Sequence, residues 1–120
     1  MSKFILAVLL FGIISCKKGD TTGPTITMTW PADGESFPAG NVVHVKATIN
    51  DPNEIHEVHV RVNNAASGAE IVHFEDHADA ATLEVDQPFT IQSGVTYKIE
   101  VEASDHAGND SKVELSVKGN

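Results

Sequence analysis

Six histidines and a dense scatter of carboxylates are the residues of this 120-residue chain whose types could do chemistry. His59 and His73 fall in two alternating segments, Ile55 to Val62 and Ala69 to Glu75, separated by a polar loop from Asn63 to Gly68. Paired as a hairpin with Val58, Val60, Val72 and Phe74 on one face, these segments place His59 opposite His73 on the other. Directly opposed residues have Cβ atoms about 4.5–5.5 Å apart, close enough for two imidazoles to share a Zn²⁺ or Cu²⁺ at zinc's bond length to nitrogen of about 2.0–2.1 Å. His77 and Glu75 or Glu57 complete the shell. The same residues, with Arg61, Lys98, Glu100 and Glu102, also read as the solvated outer face of a sheet laced with weak ion pairs.

Nucleophilic chemistry finds less support. No serine sits in a G-x-S-x-G context, no Gly-rich phosphate loop precedes a helix, and the single cysteine, Cys16, lies outside the patterned region. A non-catalytic protein is expected. The formal charge of −9 repels nucleic acid and anionic lipid head groups, which sets nucleic-acid binding aside.

The elements that must position these side chains follow from a period-two alternation that begins at Pro24. Thr25 to Trp30 places Ile26, Met28 and Trp30 on one face, and Pro31-Ala32-Asp33-Gly34 turns the chain. Phe37 plugs the edge of the core. Val43, Val45, Ala47 and Ile49 line a second strand, which ends at an Asn50-Asp51-Pro52-Asn53 turn. The hairpin of 55–62 and 69–75 follows, then a connection from Asp76 to Ala81. Thr82 to Val85 and Phe89 to Ile91 form one strand interrupted near Pro88, which cannot donate to a central ladder. Thr96 to Ala103 carries Tyr97, Ile99 and Val101 inward, and Ser111 to Lys118 carries Val113, Leu115 and Val117. About seven strands with a turn signal every 8–12 residues match an all-β, immunoglobulin-like Greek-key β-sandwich.

Two local patterns make that likeness specific. Ile91-x-Ser93-Gly94-x-x-Tyr97 is similar to the tyrosine corner of Greek-key sandwiches, which implies structural roles for Ile91, Gly94 and Tyr97, the Tyr hydroxyl bonding upstream backbone. Ala103-Ser104-Asp105-His106-Ala107-Gly108-Asn109 resembles the closing turn of bacterial immunoglobulin-like and fibronectin-type-III-like domains. The resemblance spans Pro24 to Val117, though both cysteines of antibody domains are missing. In such a topology the B–C and F–G loops share one end, so Asp51, Asn53 and Glu54 are expected near Asp105, Asn109 and Asp110. Oxygen donors in this number suit Ca²⁺; Asp, Asn and Gly are equally what turns require.

The first residues are of another kind. Lys3 followed by the apolar run Phe4 to Ile14 reads as a secretory signal, too short for the roughly 20 residues that span a bilayer. Ile13-Ile14-Ser15-Cys16 resembles the lipobox of bacterial lipoproteins, which implies a lipidated Cys16 at the mature N-terminus. Lys17 to Gly23 has the composition of a flexible tether, similar to that of Bacteroidetes-type lipoproteins, and Asp20-Thr21-Thr22 resembles their O-glycosylation sequon. The expected organisation is a lipoprotein signal peptide over 1–15, lipidated cysteine and tether over 16–23, and a β-sandwich over 24–120. Without its leader the chain carries seven basic and seventeen acidic side chains. The resemblance implies an outer-membrane lipoprotein, facing periplasm or cell surface, that meets a protein or glycan ligand and needs no cofactor beyond a possible Zn, Cu or Ca ion.

Overall fold

The computed structural model describes residues 22–120; the signal segment, Cys16 and the tether through Thr21 lie outside them. Seven strands follow in order: β1 (Thr25–Trp30), β2 (Glu35–Phe37), β3 (Val42–Asn64), β4 (Glu70–Asp76), β5 (Ala80–Thr90), β6 (Thr96–Asp105) and β7 (Asp110–Gly119). Among the described residues no helix is long and apolar enough to cross a membrane. The all-β sandwich expected from the alternation is what forms.

The long β3 builds both layers. Its first half pairs antiparallel with β1 and β5, and its second half with β6 and β4. Antiparallel β7 extends the second layer from β6, and short β2 runs parallel to β7 at the rim. Between the layers lies one core cluster, in which Val43, Val45, Ala47 and Ile49 of the first half of β3 meet Val58, Val60, Ile99 and Val101 of the second layer. Burying an aliphatic side chain of this size is worth about 1.5–3 kcal/mol, and period-two placement delivers one such residue at every second position.

Expectation and structure differ where the alternation is broken. Asn50 to Asn53 is not a gap between two strands but a corner inside β3, where the ladder shifts register between Asn50 and Ile55. Asp51, buried there, accepts the Asn53 N–H at 2.8 Å, and Glu54 takes φ = 73°. Pro88 does not interrupt its strand, because β5 pairs with β3 alone and is an edge, where a sheet tolerates proline. Trp30 is not in the core. A bulge between Met28 and Trp30 sets Trp30 opposite Lys46 and leaves it 40% exposed, in edge contact with Phe37.

The corner before β6 holds as its motif implies. Tyr97 is buried, its hydroxyl accepts the Gln92 N–H at 2.8 Å, and Gly94 takes φ = 76°. Phe89 meets the Tyr97 ring edge-on at 5.1 Å, a favoured aromatic geometry.

Candidate metal centre

The outer face of the second layer is a lattice of charges. Arg61 donates to Glu102 at 3.1 Å, and Lys112 reaches Glu100 at 3.1 Å and Glu114 at 3.5 Å. Towards the β4 edge this lattice turns into histidine. His59 Nδ1 and His73 Nε2 lie 3.0 Å apart, while His59 Nε2 meets Glu57 Oε1 at 2.8 Å. The hydrogen bond with His59 lowers the pKa of Glu57 below its ordinary 4.5, against desolvation and with help from the charges of His59, His77 and His56.

His59 and His73 meet by a route other than the expected one. The register sets His59 opposite Glu75 and His73 opposite Arg61, so the two imidazoles are diagonal neighbours. Diagonal pairs on an antiparallel sheet lie within reach of long side chains, and both rings lean across the gap. Glu75 joins them, the three ligand atoms all lying within 4.8 Å of one another. His77 does not complete this group. It pairs instead with Glu75 at 3.0 Å and Glu57 at 3.5 Å, and forms a separate trio with Glu57 and His56.

A third trio, His56, Asp79 and His106, was not expected from the alternation. Ile55 pairs with Asp105 and Glu57 with Ser104, so His56 is the extra residue of a bulge. The signal was present: Ile55 and Val58 are both fully buried three positions apart, a spacing that period two does not allow without an inserted residue. Of the six histidines only His44 stands apart, paired with Asp86 at 2.6 Å.

The oxygen-rich set is distributed differently. The pairing of Ile55 with Asp105 brings the β3 corner and the β6–β7 turn to one end, as the topology implies. Asp105 is taken up by that turn, accepting the backbone N–H groups of Ala107 and Asn109 at 2.9 Å each and the Asn109 side-chain amide at 3.1 Å. Asp51 serves the corner, Asn53 and Glu54 are exposed beside it, and Asp110 lies across the face. There Asp110 lines a hollow of about 100 Å³ with Glu57, His59, Glu102 and Ser104. Among the described residues no trio of His, Asp or Glu ligands includes Asp51, Glu54, Asp105 or Asp110.

Residues 24–84, from the start of β1 into β5, match the bacterial Ig domain family. The chain belongs to that family. Fibronectin(III)-like modules of Clostridium thermocellum CbhA share the bacterial Ig domain's architecture at 20% identity and a TM-score of 0.51, over 79% of this chain and 94% of that one. No curated protein matches this bacterial Ig domain. Domains of this architecture are non-catalytic as a rule.

Proposed function

We propose that this bacterial Ig domain is a non-catalytic interaction module held at the bacterial envelope, in the outer membrane, by lipid on Cys16. The observation that carries the reading is the position of Cys16, directly after an apolar leader and before a short polar tether that leads into β1. One acyl chain binds a membrane marginally and two anchor it stably, so a diacylated cysteine holds the sandwich at the bilayer. The surface such a module offers a protein or glycan includes Trp30 and Val42, exposed at 40% and 57%. These two line a hollow of about 390 Å³ with Thr29, His44 and Lys46. Cell fractionation tests the anchor: the wild type sediments with membranes and Cys16→Ala does not. An Ala variant that still sediments with membranes contradicts the reading. Protease treatment of whole cells then separates a surface-facing from a periplasmic module.

A second reading is favoured by the 3.0 Å approach of His59 and His73 beside Glu75. Two imidazoles and a carboxylate are a Zn²⁺ or Cu²⁺ ligand set, and on this reading the module carries a transition-metal ion on its outer face.

A further inference from the structure

The β4–β5 connection, the bulge of β3 and the β6–β7 turn converge on one small cluster. His56 comes from the bulge, Asp79 from the connection and His106 from the turn, and a ligand atom from each lies within 4.8 Å of the other two. His106 Nε2 already meets Asp79 Oδ1 at 3.0 Å, and the rings of His56 and His106 lie 4.5 Å apart at 45°. Around a tetrahedral zinc with bonds of about 2.0–2.1 Å, neighbouring ligand atoms sit roughly 3.3 Å apart. The cluster is therefore within small side-chain adjustments of that geometry.

Three features separate this cluster from an ordinary surface ion pair. His56 Nδ1 is buried and has no hydrogen-bond partner, and a buried polar atom without one calls for an explanation such as a bound ion. The backbone is shaped to bring the ligands in: a bulge re-aims His56, and Asp79 holds φ = 47°, in the left-handed region that Asp tolerates better than most residues. The β6–β7 turn that presents His106 is braced from inside by Asp105, which binds Ala107 and Asn109. His56 also faces Glu57 and His77, but Glu57 is divided between His59 and His77, and His77 is held by Glu75. Asp79 and His106 instead face each other, beside His56.

We propose that His56, Asp79 and His106 form a transition-metal site that takes Zn²⁺, with its fourth position open to water or to a donor from a partner. The N,N,O donor set selects zinc-like ions over Ca²⁺ or Mg²⁺, and the ion ties three chain segments together at one end of the sandwich. This site does not depend on the His59–His73–Glu75 group, which shares none of its ligands.

The test is titration of the untagged full chain, in detergent micelles, with Zn²⁺ alone, followed by calorimetry and by the NMR resonances of the histidine rings. Wild type and His73→Ala should both show the His56 and His106 rings responding at stoichiometric Zn²⁺. Asp79→Asn, which keeps a residue tolerant of the left-handed conformation, and His106→Ala should each weaken that binding at least about tenfold, the lower end of what losing even an outer-shell partner costs. Unchanged His56 and His106 rings in the wild type, a response confined to His59 and His73, or a His56 response that keeps its wild-type affinity in Asp79→Asn would each overturn the proposal. Backbone amide spectra of the metal-free variants that match the wild type away from the substituted residues show that their folds are intact.

Discussion

Tyr97 carries the corner before β6 on one hydroxyl group. Its ring is buried and its oxygen accepts the Gln92 N–H at 2.8 Å, so Tyr97→Phe removes the acceptor and leaves that N–H without it. The expected cost is about 1–3 kcal/mol, measured as a lower denaturant midpoint at unchanged slope. A midpoint equal to that of the wild type would show that the corner is held by packing alone. This residue was legible in the sequence because its partners lie within six positions of it, where spacing is conserved by local geometry. The histidines were legible only in part. Placing His59 near His73 needed the outward parity of both strands, which alternation supplies, but their diagonal relation depends on a register that alternation does not contain. His56 escaped because a bulge suspends period two at the residue it inserts, and Asp79 because nothing in a three-residue connection announces a left-handed backbone.

At the scale of elements, the corner in β3 decides how one strand serves two layers. Glu54 holds φ = 73° there with a full side chain, a conformation that costs a non-glycine residue about 1–2 kcal/mol. Glycine pays less in this region and more in chain entropy, so Glu54→Gly is expected to raise stability by about 0.5–1 kcal/mol. Thermal melts of the two proteins check it, and a lower melting temperature in the variant contradicts it. The sequence marked this corner through Asp51, Pro52 and Asn53 but read it as a break between strands, since the same residues end a strand or bend one.

Across β6 and β7, Glu100 and Glu114 are directly opposed, a destabilising arrangement for like charges that Lys112 relieves by bridging them. The side-chain hydrogen bond with Glu100, with the charges of Lys98 and Lys112 and against desolvation, lowers the Glu114 pKa from its ordinary 4.5. A lowered carboxylate pKa adds stability that is present above 4.5 and lost as pH falls below it. The wild type should therefore lose stability more steeply than Glu114→Gln as the pH is lowered past that value. Added salt should narrow the difference, because Glu114 and Lys112 are exposed; equal slopes at low salt would remove Glu114 from the balance.

For the whole molecule, the core and the layers are set by apolar residues at alternate positions, and these were readable over nearly all of 24–120. Trp30 is the instructive exception. Its hydrophobicity argues for burial, yet the bulge at Thr29 turns it outward with Lys46, so a side chain that alternation sets on one face with Ile26 and Met28 becomes part of the exposed surface. Membership of the bacterial Ig domain family and the fibronectin(III)-like architecture agree with a β-sandwich whose charged and histidine side chains lie on its faces and turns. On the reading proposed above, the acidic surface, the exposed Trp30 and the histidine-rich end would be what a partner meets. On the same reading, this domain is held to a membrane through Cys16. Intact-mass and peptide mass spectrometry of the protein purified from bacterial membranes tests it most directly. A lipid-anchored module yields a mature chain that begins at Cys16 and carries a diacylglyceryl group on its sulfur. A chain that retains Met1 to Ser15, or one that begins at Cys16 with an unmodified thiol, would contradict it.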